Sequence, residues 1–350
     1  MTKANKWNSY YITDNYNIGL ALLRAYMCFG VVLLHFWKNQ SRPSSIANLF
    51  FSQRIHAVPV FILTSFLLTK HFFMYLDMKR VRKRLYRILY PHIAWGGYYY
   101  IIYSIINLLI KEKNSLEISD LFCQIVTGHS PKLNVAMWFQ INLFFLTLLF
   151  VAIIAVCKEY KIYVFYLLAV FSYFMQYSGL NVEIFGKFCF ELKYPFGRFL
   201  EMLPLAITGY FVAFFEVLEK GIKHRMMTVL VAILTLIVIK TTDILVPIDG
   251  FNYQGIETNL ISICFVTIFY LIPFTHIPDT IKRFLIILSQ YTMGIYCMHF
   301  MVGRIMKIVC AKIGMPSETF TFCVLVWIIC YLISYLLSLI PGNYMEQIVN

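Results

Sequence analysis

The chain has 350 residues, of which 60% are hydrophobic, 18% aromatic and 13% charged, with a formal net charge of +13. A soluble domain carries about 25% charged residues, and no polar segment here is long enough to bury a core of its own, so neither a water-soluble fold nor a separate soluble domain is expected. The positive charge is spread over many short loops, which suits a surface beside anionic lipid and argues against nucleic acid as a partner.

A helix that crosses a bilayer needs about 20 mostly apolar residues. Such stretches recur at 16–37, 55–76, 88–110, 135–157, 161–179, 195–216, 226–246, 257–276, 283–303 and 320–340. The predicted class is therefore an all-α polytopic membrane protein of about ten transmembrane helices. No internal repeat is evident. The nine cysteines are scattered through apolar runs with no CxxC and no Cys/His metal spacing, so they read as small buried hydrophobes and no metal is expected.

The first span, IGLALLRAYMCFGVVLLHFW, carries two polar groups in apolar surroundings, Arg24 and His35. Eleven residues at about 100° each return to within roughly 20° of the starting direction, so both side chains share one face, about 16 Å apart along the helix. Ionisable groups inside a span are a functional hypothesis by default. The second span reads AVPVFILTSFLLTK and is followed by DMKRVRKRLYR, with Arg84 and Arg87 one turn apart before Tyr90-Pro91. Lys/Arg-rich short loops stay in the cytoplasm. That dense cluster predicts cytoplasmic termini, Arg24 in the inner half of span 1 and His35 near the external face. Trp138-Phe139 opens the fourth span and reads as an interface anchor. In the sixth, Arg198 and Glu201 lie three apart, either lining a cleft or neutralising one another. The ninth contains YTMGIYCMHF, which puts Tyr296 and His299 near its outer end, at about the depth of His35. The remaining histidines form no ordered pattern.

In order and spacing these positions resemble the acyltransferase-3 family of membrane O-acyltransferases. That family carries an R/K-x10-H motif in the first span, matched by Arg24 and His35. Its second span often ends in Ser-Gly-Phe-Leu-Leu, where this chain has Thr64-Ser65-Phe66 and lacks the glycine. An RxxR element follows, here Arg84 and Arg87. A late Ser-x-x-x-Ile-Tyr-x-x-His segment is partly matched by Ile295, Tyr296 and His299. The length is similar to that of stand-alone members that modify exopolysaccharides, including intercellular-adhesin polysaccharide modification proteins.

The resemblance implies a multi-pass enzyme of the plasma membrane, of bacterial type, with a single acyltransferase domain over 1–350. It implies acyl-CoA, in the first place acetyl-CoA, as donor. A hydroxyl of a surface polysaccharide or polyprenyl-linked glycan is the implied acceptor, with polysaccharide-synthesis machinery as a possible partner besides the lipid bilayer. His35 would then be a general base or a nucleophile that carries the acyl group; the plain alternative is a histidine reaching to the interface. Arg24 would hold the donor or a developing oxyanion, against a plain ion pair for which Glu201 is the clearest partner. Arg84 and Arg87 would bind coenzyme A phosphates, against a role in topology alone. His299, Tyr296, Arg198 and Glu201 would line an acceptor cleft, against a structural role. A different class is a glycan or small-metabolite transporter that uses the Arg24/His35 pair, and a third is a sensor on an inactive scaffold. Transfer of a labelled acyl group to glycan separates the enzyme from both.

Overall fold

The computed structural model describes residues 17–37, 56–69, 73, 76–110, 116–180, 184, 190–245, 255–274 and 276–340, with the backbone alone for 110, 190–196 and 240–245. Among them there is no strand. The helices are α1 (Ile18–Phe36), α2 (Ala57–Leu67), α3 (Met78–Ile110), α4 (Ile118–Thr127), α5 (Trp138–Cys157), α6 (Lys161–Tyr177) and α7 (Phe190–Phe214). They continue with the short α8 (Val217–Gly221), then α9 (Arg225–Leu245), α10 (Gly255–Leu271), α11 (Asp279–Gln290), α12 (Thr292–Lys312) and α13 (Phe320–Leu339). Each of the ten expected spans overlaps helix among the described residues. Among those residues six stretches are long and apolar enough to cross a membrane: Ile18–Phe36, Trp138–Tyr177, Gly197–Phe214, Val217–Ile239, Thr292–Lys312 and Phe320–Leu339. The apolar helices α2, α4 and α10 are shorter.

Local chemistry explains where the helices stop. The Asn17 side chain caps α1 by accepting from the Leu20 N–H at 3.0 Å, and its amide donates to the Tyr270 carbonyl at 3.0 Å. Lys158, at φ 39°, ends α5, and a single 3-10 turn leads into α6. Phe150 and Phe165, similarly spaced on either side of that turn, meet with ring centroids 4.4 Å apart, so the apolar run 138–177 folds back as two helices. Pro91 lies inside α3, where it deprives the Arg87 carbonyl of its helical donor.

The ninth span departs from expectation. Instead of one helix over 283–303, α11 and α12 meet at Tyr291 (φ −84°, ψ 6°), and α12 runs on to Lys312. His299 therefore sits in the second turn of α12, with three further turns beyond it. The break falls at the polar stretch Ser289-Gln290-Tyr291-Thr292, which is too short to end a span by hydropathy. Segment α11 is amphipathic, with Ile281, Phe284 and Ile287 exposed.

Helix α1 lies at the centre, in contact with α2, α10, α11, α12 and α13. Lipid tails are as apolar as the core, so helices in a bilayer associate through close packing at small residues. Three glycines serve this purpose. A Cβ on Gly19 would sit 1.7 Å from the Phe269 carbonyl oxygen of α10, one on Gly209 2.3 Å from the Leu63 carbonyl oxygen of α2, and one on Gly303 2.1 Å from the Phe36 ring. Aromatic rings fill the junction of α2, α5, α6 and α7: Phe66 and Phe150 lie 4.4 Å apart, Phe165 and Tyr210 5.0 Å. By contrast α9 exposes Met226, Leu230, Leu234, Ile237 and Val238, as a lipid-facing helix does.

The α2–α7 contact gives a direct test. Gly209→Ala is expected to lower the thermal stability of the detergent-solubilised protein by about 1–3 kcal/mol, because backbone must move to admit the methyl group. Gly197, on the same helix, has nothing within 4 Å of an added Cβ, and Gly197→Ala should leave stability unchanged or slightly higher. Equal melting temperatures for the two variants would refute the close-packing account.

Candidate active site

Helices α1 and α12 run parallel and make two polar contacts. At the lower one Arg24 Nη2 donates to Thr292 Oγ1 at 3.1 Å, and that hydroxyl donates to the Ser289 carbonyl at 2.9 Å. Cys28 Sγ is 3.6 Å from the Thr292 carbonyl oxygen. Arg24 is thus seated at the α11–α12 break. Among the described residues it has no carboxylate partner; Glu201 is taken by Arg198, with N to O 2.5 Å.

At the upper contact the His35 and His299 rings lie 5.2 Å apart, tilted by 34°. Phe300 abuts His35 at 4.8 Å, and Phe36 and Tyr296 lie 6.3 Å and 5.9 Å from the His299 ring. His299 is fully buried and His35 half-buried. His299 Nδ1 is 2.6 Å from the Tyr296 carbonyl oxygen. A carbonyl only accepts, so Nδ1 carries the proton and the lone pair is on Nε2. That Nε2 is buried without a hydrogen-bond partner among the described residues. The Tyr296 hydroxyl donates to the Ala136 carbonyl and is committed there.

Helix α3 fixes α12 at this height. The Tyr99 hydroxyl donates to the Cys297 carbonyl at 2.8 Å and accepts from the Met301 N–H at 3.0 Å, bridging two groups that an α-helix joins directly. Asn134 Nδ2 donates to the same carbonyl at 3.4 Å. The two contacts span the turn that contains His299 and tie it to α3. Neither Tyr99, in a run of three tyrosines, nor Thr292 carries any distinguishing mark in the sequence.

Contacts along α3 and α12 order these groups by height. Arg84 meets Ser65 and Thr147, and His92 meets Gln140. Gln140 reaches Met293 and Cys297, Tyr99 bridges Cys297 and Met301, and Arg304 stacks over Tyr103 at 4.6 Å. From the basic end of α3 upward, the order is Arg84, then Arg24 with Thr292, then the two imidazoles, then Arg304.

The other predicted residues are placed as follows. Arg84 is half-buried: Nε donates to Thr147 Oγ1 at 3.1 Å, Nη1 to the Ser65 carbonyl at 3.2 Å and Nη2 to Ser65 Oγ at 2.9 Å, with its guanidinium 5.1 Å from the centre of the Phe66 ring. The guanidinium fork therefore joins α3 to α2 and α5. Arg87 is exposed. Arg198 and Glu201 pair with one another, and Arg198 lies 6.0 Å from the centre of the Trp138 ring. Trp138 is buried inside the bundle and so is not an interfacial anchor. His92 is buried with both ring nitrogens engaged, by Gln140 at 3.3 Å and the Ile125 carbonyl at 2.9 Å.

This arrangement can do acyl-transfer chemistry: a cation with no carboxylate partner among the described residues and two imidazoles, set along one helix pair, the imidazoles beside aromatic rings. The family comparison agrees. A family model described as an acyltransferase domain, of acyltransferase-3 type, matches residues 17–339, whereas no curated protein and no solved structure matches the chain. The match takes in both ends of the column, Arg24 and His35 on α1 and His299 on α12, and the chain belongs to the acyltransferase-3 family of membrane O-acyltransferases.

Proposed function

We propose that this acyltransferase moves an acetyl group from cytoplasmic acetyl-CoA to a hydroxyl of a surface or polyprenyl-linked glycan, in the plasma membrane of a bacterial cell. The observation that carries the reading is the ordered column: basic α3 end, Arg24, then His35 beside His299. Coenzyme A is an anionic head on a long, thin, neutral arm that ends in a thioester. The cationic end of α3, with Arg24 and the two imidazoles in order above it, complements that charge pattern. Arg87, exposed on that end, suits the phosphates. Arg24 stabilises negative charge, and His35 works at the carbonyl.

A sugar hydroxyl is a weak nucleophile until a base accepts its proton. In the transfer the hydroxyl oxygen bonds to the carbonyl carbon and the carbon–sulfur bond breaks. The hydroxyl proton passes to imidazole and then to the departing thiolate. The aromatic rings beside the imidazoles keep bulk water from competing for the acyl group.

His35→Ala is expected to abolish acetyl transfer, and Arg24→Ala to reduce it on the order of a hundredfold, both with normal membrane insertion. Radiolabelled acetyl-CoA supplied to inverted membrane vesicles, with label counted in the saccharide fraction, measures this. Full transfer by His35→Ala would remove His35 from the mechanism.

The two basic-loop arginines should behave differently. Arg87→Ala raises the KM for acetyl-CoA on the order of tenfold with a smaller effect on kcat, since a charge-assisted bond is worth roughly 1.5–3 kcal/mol and acts on ground and transition states alike. Arg84→Lys keeps the charge but loses the fork, and shows instead as a lower melting temperature. An unchanged KM in Arg87→Ala leaves the loop with a topological role only.

Orientation is tested separately. With both termini cytoplasmic, a cysteine introduced at the exposed Lys83 on a cysteine-depleted background stays unlabelled by an impermeant maleimide added to intact cells, and is labelled once the membrane is permeabilised. Labelling from outside reverses the orientation and places the imidazole pair on the wrong side for an external glycan.

A further inference from the structure

We propose that His299 is the second proton carrier of the reaction: its Nε2 takes a proton from one nitrogen of His35 as the other nitrogen accepts that of the acceptor hydroxyl. This inference rests on the acyltransferase reading above and assigns a residue that the R-x10-H pair does not contain. The first ground is the tautomer. The Tyr296 carbonyl holds Nδ1–H at 2.6 Å, so neutral His299 keeps its lone pair at Nε2 in a fixed direction. The second is the lack of a partner. Buried polar atoms are nearly always hydrogen-bonded, yet this Nε2 is buried and unpartnered among the described residues. The third is elimination among its neighbours. The rings recorded around His299 are Phe36, Tyr296, Phe300 and His35. Two have no exchangeable proton, and the Tyr296 hydroxyl already donates to the Ala136 carbonyl. Among the described rings, His35 is the neighbour left with a proton to give.

Two imidazoles joined by an N–H···N bond have centroids about 5 Å apart, given an N···N distance of about 2.9 Å. The observed 5.2 Å is that separation, with the rings still tilted by 34° and the bond unmade. Catalytic hydrogen bonds often close only in the reacting complex. In the step, the hydroxyl proton moves to one His35 nitrogen and the proton on the other His35 nitrogen moves to His299 Nε2. His299 becomes an imidazolium whose Nδ1–H remains on the Tyr296 carbonyl, where the carbonyl dipole favours the cation. The proton returns by the same route to the coenzyme A thiolate, so both histidines end neutral.

His299→Asn tests this. Its amide can keep the donor to the Tyr296 carbonyl but offers no base in place of Nε2. Radiolabelled acetyl-CoA is titrated on inverted vesicles, and label is counted in their saccharide fraction. We expect kcat to fall on the order of a hundredfold, with the donor KM and the melting temperature close to wild type. His299→Ala should lose as much, and added imidazole should restore its rate at least severalfold. Wild-type-like kcat in His299→Asn overturns the proposal, as does a loss in His299→Ala that imidazole does not relieve. If the wild-type protein itself labels no saccharide, the acyltransferase reading fails and this inference falls with it. If the wild type labels saccharide and His299→Asn matches it, only the inference fails.

Discussion

Polar groups inside an apolar bundle must be satisfied by the protein, and in this molecule the helix that satisfies them is α12. Arg24 has no carboxylate among the described residues. Its bond goes to the hydroxyl of Thr292, the first residue of α12. His35 lies against His299 two turns farther on. The same parallel pairing of α1 with α12 thus supports both ends of the column, so any shift of one helix against the other disturbs both contacts. Gly303 permits the fit, since its missing side chain leaves room for the Phe36 ring.

That pairing is itself held from a third side. Tyr99 of α3 both donates to and accepts from the backbone of α12 at Cys297 and Met301, and Asn134 adds a donor to the same carbonyl. These contacts hold the turn that contains His299, and with Nδ1–H fixed by the Tyr296 carbonyl one turn back, ring orientation follows from backbone geometry. The site is therefore positioned by helices and not by loops, which keeps its groups in register.

The basic end of α3 has a corresponding anchor. Three N–H groups of Arg84 are used on Ser65 and Thr147, and the guanidinium plane rests near Phe66. The Ser-Phe-Leu-Leu turn and the RxxR element, separate motifs along the chain, are one structure in space. Arg84 is the joint, and Arg87 is the member left toward solvent. A guanidinium with three of its five N–H groups engaged is a poor choice for a freely titrating phosphate site, so two arginines one turn apart have different physical roles.

The sequence alone determined the class, because a composition of 60% hydrophobic and 13% charged residues admits no soluble fold. It also determined the polar stripe of α1, because residues eleven apart share a helix face whatever surrounds them. The spacing of motifs was enough for the family. The break at Tyr291 was not legible, since a one-residue change of backbone angle leaves hydropathy untouched. Nor was the part played by Tyr99, one of three adjacent tyrosines, which differs from its neighbours only in the direction that helix packing gives it. Trp138 reads as an interfacial residue by type and is buried by the bundle. Which nitrogen of His299 holds the proton is likewise a tertiary matter. Periodicity and composition act within one element and survive in the sequence, whereas partners are chosen between elements far apart in the chain, and only the packed bundle sets those distances.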